Sequence, residues 1–506
     1  MTVLHLTRHG EMEIGKDVIA VDRQGTPYAY QLKTPSGPRI TMSEWRNGIA
    51  SQVHDLVTTA VVHPSLPKTK PHRSFLVTNK GIDESVIRAI GDMNRRWEDA
   101  GQSYLKLETI VGGELLRDAI DLGTNLWPSE LSQSRDILEL FLQDGTGPLQ
   151  TAKLCGLLQS TLQLDVGSRP SQSSCHQRFS SAGLLTAIAE SEHARQQYHV
   201  AQIEAWTLYC CHVLAVAERW SLSKSVWMPA ISVAKSTIWS LLEDLVAELR
   251  ERKNMIEGDP INDNLFRRGR ITRLVGFVSL FALWKRADGG IGENDEFAKE
   301  FCGKHRGSLW LWGEAAVPLL LAFYWFWRKV DATPSIDSLL SMLISGICEA
   351  NGHQCPPDNA LPNPYYSESE VLAARLGISD EPIEEDFRKH SYTLESIVHL
   401  FARLNWKMQM TTLWPSITHV WFNRFEPAAK WQFFLWRAAE GTHWDVAPRY
   451  PKQWSELRAE AEECNGNSVP EVVRNDPILL ALILCVCPHR LTADVARWLD
   501  TQLADL

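Results

Sequence analysis

The hydrophobic period of this chain changes once, near Trp127, and that change decides what the chain can fold into. Before it, short apolar runs alternate with every second residue and are separated by helical stretches. Residues 2–7, 16–22 and 28–33 read as strands, the last two joined by the turn Arg23-Gln24-Gly25-Thr26-Pro27. Thr41-Met42-Ser43-Glu44 has the form of a capping box, and a helix is expected from there to about Val62. A strand (Ser74–Thr78), a helix (Glu84–Asp99), a strand (Tyr104–Ile110) and a further helix from about Glu114 complete the head. That order predicts an α/β layer on a mixed sheet.

After Trp127 only long segments of helical period remain. They are Ala182–Arg219, Ile231–Arg252, Ile271–Arg286, Ala315–Lys329, Ile336–Cys348, Leu394–Leu404 and Asp476–Val486. A chain of 506 residues exceeds what one compact core usually holds. The Ser-rich stretch Gly167–Ser181 and the Pro-rich stretch Pro356–Pro364 are the expected joints. The predicted architecture is an α/β domain over residues 1–125, a helical domain over 126–350 and a C-terminal helical domain over 351–506. The most apolar runs, Val317–Trp327 and Ile478–Val486, fall short of the roughly 20 residues that span a bilayer. They read as buried helices, not as membrane segments. Ten cysteines without a CxxC pair read as reduced thiols of a cytoplasmic protein.

Charge separates the two parts as well. Residues 1–80 hold ten Lys/Arg against six Asp/Glu, although the whole chain carries a formal charge of −10. A basic head on an acidic body fits a polyanionic substrate at the N-terminus.

The informative segment is Gly15–Asp22, the turn, then Tyr28–Lys33. A hairpin centred near Gly25 places Asp17 opposite Lys33 and Ile19 opposite Gln31. Alternation then puts Asp17, Gln31 and Lys33 on one face, and Val18, Ala20, Tyr28, Tyr30 and Leu32 on the other. An anion, a carbonyl oxygen and a cation thus gather at the open end of the hairpin. Phosphodiester hydrolysis uses that set. Mg²⁺ takes hard oxygen ligands and keeps several waters, so one carboxylate and one or two carbonyl oxygens suffice. Asp17 is the expected main ligand, helped by the Gln31 side chain and the Leu32 backbone carbonyl. Lys33 would orient and deprotonate the attacking water or stabilise charge on phosphorus. Glu11 and Glu13, just upstream, are candidates to complete the metal shell and the catalytic set.

Asp17, Gln31 and Lys33, spaced D-x13-QxK, resemble the PD-(D/E)xK (restriction-endonuclease-like) nuclease superfamily, in particular its Mrr-type D…QxK variant. The resemblance covers residues 1–125 only. It implies a restriction-endonuclease-like mixed sheet flanked by helices, Mg²⁺ or Mn²⁺ as cofactor, and DNA as substrate. Residue by residue it makes Asp17 the family aspartate, Gln31 its glutamine and Lys33 its lysine. The chain departs from the family in having Lys16 before the aspartate and no helix before the first strand. A nuclease head on a long helical body is similar to bacterial anti-phage or restriction effectors. The missing helix leaves one sheet face to be covered by the body, a second copy or a partner. A homodimer or a complex with another defence subunit is therefore expected.

A second resemblance competes. Arg8-His9-Gly10 after an apolar strand is similar to the signature of the histidine phosphatases, in which the histidine takes up a phosphoryl group. The second histidine and further arginine of that mechanism have no match, since Val77-Thr78-Asn79-Lys80 stands where a strand ending in His-Gly belongs. Under the nuclease reading Arg8 and His9, with Lys16 and Arg39, become DNA phosphate contacts. A third reading keeps the nuclease fold as a non-catalytic scaffold.

The helical body offers weaker signals. Glu190-x-x-His193 has no second copy to complete a di-iron site, and reads as a solvated helix face. Cys348, His353, Cys355, Cys485, Cys487 and His489 match no common zinc spacing and read as buried thiols and neighbours. Arg267, Arg268, Arg270 and Arg273 open an apolar helix. The first three are candidate nucleic-acid contacts, against the alternative of an exposed helix end.

Overall fold

A computed structural model describes residues 2–6, 16–22, 24–61, 71–115, 117, 131–164, 167–252, 264–290, 292–331, 336–352, 361–378, 389–436, 443–448, 452–463 and 465–504. The chain divides into two compact units, Met1–Asn125 and Leu126–Leu506.

The first unit is built on five strands, β1 (Thr2–Leu6), β2 (Val18–Val21), β3 (Pro27–Lys33), β5 (Arg73–Thr78) and β7 (Leu107–Ile110), side by side in that order. β1, β2 and β3 pair antiparallel, while β3, β5 and β7 run parallel. Parallel neighbours need a crossover, and helices supply both. The first contains α1 (Ala50–Thr58), entered through the capped turn at Thr41 and a π-turn over Trp45–Ile49; the second is α2 (Glu84–Asp99). Two further short strands, β4 (Arg39–Ile40) and β6 (Gly81–Ile82), pair parallel beside the main sheet.

Val53, Leu56 and Val57 of α1 and Val86 and Ile90 of α2 pack on Ala29, Leu76 and Leu107. Both helices therefore cover the same sheet face. Asn94 of α2 ties the edge strand down, its carboxamide exchanging two 2.9 Å hydrogen bonds with the Leu107 backbone. The opposite face carries a second apolar cluster. Ala20, Tyr28, Phe75 and Val77 form a second buried cluster with Leu115, and Phe75 stacks on both Tyr28 and Tyr30.

The second unit is mainly helical. One continuous core runs from Ile137 to Leu503, through Cys348, Leu361 and Val371. The expected boundary at 350/351 thus separates no two cores. The unit also holds a three-stranded sheet that periodicity did not reveal: β8 (His390–Ser391), β9 (Trp421–Phe425) and β10 (His443–Val446). The two-residue β8 holds no alternation to detect. Among the described residues one helix, His199–Arg219, is long and apolar enough to cross a membrane, and 89% of its apolar window is buried inside the unit. That is the position of a core helix.

Candidate active site

The β2–β3 hairpin sets the site. Its turn is fixed by Asp22, whose Oδ1 accepts from the Gln24 and Thr26 N–H groups at 2.9 and 2.8 Å, while Gly25 takes a positive φ of 74°. The Thr26 bond is the main reason the Asp22 carboxyl lies below its ordinary range. With this turn Val21 faces Pro27 and Val18 faces Tyr30. The hairpin is centred on Gln24, one residue before Gly25, so the register differs from the expected one by two residues. An even shift preserves the face of every side chain. Asp17 stays on the face of Gln31 and Lys33, but stands across from Gln31 and not Lys33; Ile19 faces Ala29.

The Asp17 backbone N–H extends the ladder to the Tyr30 carbonyl at 2.8 Å. Gln31 Nε2 donates to Asp17 Oδ2 at 2.7 Å, and the Leu32 N–H donates to the same oxygen. Gln31 is 1% exposed beneath the helical layer, and its Oε1 is buried without a hydrogen bond. In a strand the N–H and C=O of one residue point to the same edge, so the Leu32 carbonyl is directed to the Asp17 side. Lys33 is half-buried at the last position of β3, and no described acidic side chain pairs with it. It lies level with Thr78, the last residue of β5. The group therefore sits at the carboxyl ends of parallel strands, where open α/β sheets place their ligands.

Two contacts hold the loop after Lys33. Lys80 Nζ donates to the Pro35 carbonyl at 3.0 Å, and the Ser36 hydroxyl donates to Glu44 Oε1 at 2.8 Å. Glu44 also takes the Thr41 N–H, the largest cause of a carboxyl pKa held down to about 2. The capping box was legible in the sequence. The tie to Ser36 was not, because nothing in the spacing marks a loop serine as its partner.

Lys16 departs from its expected role. It is 7% exposed, and its Nζ reaches the Asp55 carbonyl at 3.4 Å, near the C-terminal end of α1. His72 bonds the adjacent Leu56 carbonyl at 2.7 Å. Both side chains thus meet carbonyls in the last turn of α1, where the Asp55 oxygen also accepts the Thr59 N–H. Burial pushes Lys16 down to about 8, against the opposing pull of Asp55, and burial also lowers His72. Lys16 is a packing residue and not a surface contact for DNA. Arg39 on β4 is exposed, with its stem 3.0 Å from where a Cβ on Gly81 would stand. Arg8, His9, Glu11 and Glu13 lie outside the described residues.

In the helical unit the arginine cluster is partly consumed. Arg268 donates to the Leu309 carbonyl at 3.0 Å, and Arg273 bridges Glu204 and Glu368. Arg267 has a buried Nε without a partner; Arg270 is exposed. Glu190 and His193 are not a solvated face. His193 is fully buried with Nε2 3.1 Å from the Gly147 carbonyl, and burial raises Glu190 to about 7. Cys348 and Cys487 are buried thiols and Cys485 is partly so, while His353 and Cys355 lie outside the described residues. Among the described residues no group of three or more His, Cys, Asp or Glu side chains gathers.

No family model matches this chain, and neither a curated protein nor a solved structure does.

Proposed function

We propose that the N-terminal unit is a metal-dependent endonuclease of the restriction-endonuclease-like kind, hydrolysing phosphodiester bonds in DNA. The observation that carries this reading is the joining of Asp17 to Gln31 at the open end of the hairpin, with Lys33 one strand step further. The donor set suits Mg²⁺ or Mn²⁺: a carboxylate, a carboxamide oxygen that is buried and unbonded, and a backbone carbonyl, all hard oxygens. When bound, the ion would polarise the phosphate and acidify a water. Asp17, Gln31 and Leu32 would hold it, with Glu11 or Glu13 completing the shell. Lys33, free of any described carboxylate, would orient that water and take up its proton or neutralise the developing phosphorane charge. In the N-terminal unit the exposed Arg39 is available to a DNA phosphate.

Among the described residues one such site is found, and cutting two strands takes two. The cutting form is accordingly a homodimer or a complex with another subunit, in the manner of an anti-phage effector. The described cysteines are all free, in keeping with a reducing compartment such as the cytoplasm.

The full-length chain is to be incubated with plasmid in Mg²⁺ and in EDTA. Cleavage should require the metal and should fall by on the order of 10² or more in Lys33→Ala and in Asp17→Asn. Asp17→Asn is preferred over Asp17→Ala because its amide oxygen still accepts from Gln31 and Leu32. Wild-type rates in Asp17→Asn, with an unchanged circular dichroism spectrum, refute the assignment. Absence of cleavage in every oligomeric state would favour the scaffold reading.

A further inference from the structure

Arg490, at the end of the turn Pro488–Arg490, is 0% exposed, and no described carboxylate pairs with it. Its Nη2 donates to the Leu435 carbonyl, and its guanidinium lies 3.9 Å from the centre of the Phe425 ring. Nε and Nη1 are buried without an acceptor. A buried charge is costly unless an anion compensates it. The ionisable groups whose charge reaches this guanidinium are Cys487, Tyr365 and Cys211. A thiol ionises about 1.5 pH units below a phenol, so the anion falls to a cysteine.

Cys487 closes the apolar helix Pro477–Val486, and its carbonyl takes the Arg490 N–H at 3.1 Å. One short turn therefore carries both the thiol and the guanidinium. Cys211, from the core helix His199–Arg219, supplies a second thiol and donates its S–H to Cys487. Both cysteines are 0% exposed. Burial pushes the thiols of Cys210, Cys302 and Cys348 up to about 12. Cys487 goes the other way, lowered first by the hydrogen bond from Cys211 and further by Arg490. The Cys211 thiol, as donor of that bond, is raised.

Access comes from a cavity of about 430 Å³. Cys485, Val486, Pro488 and His489, the residues on either side of Cys487, line it. A molecule little larger than water reaches the turn from there, whereas the burial of both sulfurs keeps out a bulky disulfide.

We propose that Cys487 and Cys211 are an oxidisable thiol pair, with Cys487 the nucleophile toward hydrogen peroxide and Arg490 its counter-ion. The Cys487 sulfur attacks one peroxide oxygen, the O–O bond breaks, and the departing hydroxide takes a solvent proton to leave as water. Cys487 is then a sulfenic acid. The Cys211 sulfur attacks it, the S–S bond forms, and the sulfenic hydroxyl departs as water with the Cys211 proton. Two electrons pass from the two sulfurs to the peroxide. The disulfide ties the core helix to the turn and leaves Arg490 without its anion, so the two states differ in connection and in charge. The site is independent of the nuclease centre, since every residue in it belongs to the helical unit.

The reduced full-length chain is to be treated with hydrogen peroxide, the remaining thiols alkylated under denaturing conditions, and each cysteine read by mass spectrometry. A peptide pair joined through Cys211 and Cys487 should appear. Cys487 should oxidise at least about tenfold faster than Cys302, which is equally buried and owes its raised thiol to burial. In Cys211→Ser the second step is blocked, and dimedone should trap the sulfenic acid on Cys487. Arg490→Met should slow oxidation of Cys487 by about tenfold or more. Millimolar peroxide that yields neither the joined peptide nor the dimedone adduct overturns the proposal, as does oxidation of Cys487 no faster than that of Cys302. An unchanged rate in folded Arg490→Met refutes the role of the guanidinium. If that variant fails to fold, the wild-type comparison with Cys302 decides.

Discussion

Replacing Gln31 with glutamate separates the two things this residue does, donating to Asp17 and offering an oxygen to a cation. In the wild-type chain the carboxamide Nε2 lies 2.7 Å from Asp17 Oδ2, at a position 1% exposed. Gln31→Glu replaces that donor with a second carboxyl group. Two ionised carboxylates do not share such a distance, so the pair must hold one proton, and the introduced carboxyl then donates O–H as the amide donated N–H. Keeping it protonated at pH 7, about 2.7 units above the ordinary glutamate value, costs about 3.7 kcal/mol. That is the upper bound on the destabilisation, because relaxation of the pair into water lowers it. The sign follows from linkage. The folded variant binds more protons than the unfolded chain between about pH 4.3 and 7, so its stability falls as pH rises through that window, by up to about 1.4 kcal/mol per unit. Wild type has no such term from this position. Millimolar Mg²⁺ should restore the variant at pH 7, since the ion binds the folded dicarboxylate and not the unfolded chain. The assay is urea unfolding of the full-length variant and wild type in EDTA at pH 5, 6 and 7, then in Mg²⁺, with the N-terminal unit followed by pulse proteolysis. If Gln31→Glu matches wild type in EDTA at pH 7, the amide is not bound to Asp17. If Mg²⁺ leaves the variant unrescued, the pair is not a cation site.

Lys16→Met should stabilise the first unit at neutral pH by on the order of 1–3 kcal/mol and leave cleavage intact. The buried ammonium, held down to about 8, costs roughly 3 kcal/mol while charged. Wild-type stability should rise between pH 8 and 10.5, where the unfolded chain still binds the proton that the folded chain has lost, and Lys16→Met should remove that rise. Weaker DNA binding by Lys16→Met at constant stability would count against its packing role. In the helical unit, Arg270→Ala should reduce the salt slope of DNA binding by about 1 if the cluster meets phosphate, whereas Arg268→Ala should lower Tm and leave the slope alone. The same slope change in both variants would contradict the division of roles drawn from their contacts.

Much of the first unit was legible because its elements obey local rules. The capping box at Thr41, the two-residue alternation through Tyr28–Lys33 and the long amphipathic run after Asp83 each specify their element without tertiary help. The hairpin register was misplaced by two because Asp22, and not Gly25 alone, organises the turn; a side chain that binds two backbone N–H groups leaves no mark on hydrophobic period. The even parity of the slip is why the face assignment of Asp17, Gln31 and Lys33 survived it. Lys16 was misread for a different reason. A lysine beside an aspartate reads as surface, and only the tertiary position of the α1 end beside it shows that this side chain is buried. In the second unit the two-residue strand His390–Ser391 has no period to detect. Its anchor, the buried Glu314 that accepts from the Ser391 and Thr393 hydroxyls, lies 77 residues upstream of Ser391.

The placement of the candidate site follows from how far the helical layer reaches along β3. Ala29 and Gln31 lie under α1 and α2, and Lys33, two residues further on the same face, emerges past their edge. Burial of Gln31 makes its hydrogen bond to Asp17 hard to exchange for water, which fixes the carboxylate before any cation arrives. Partial exposure of Lys33 leaves its ammonium able to meet a substrate. One strand thus delivers a pre-set acceptor and an available cation two residues apart, and the contacts of Pro35 with Lys80 and of Ser36 with Glu44 keep the chain beyond them from relaxing. A hairpin with an ordinary surface Asp–Lys pair would need none of this: its carboxylate would be satisfied by water, and no carboxamide would be buried to hold it. The energetic cost of leaving Gln31 Oε1 unbonded in the interior, about 1–3 kcal/mol, is what a cation at this position would offset.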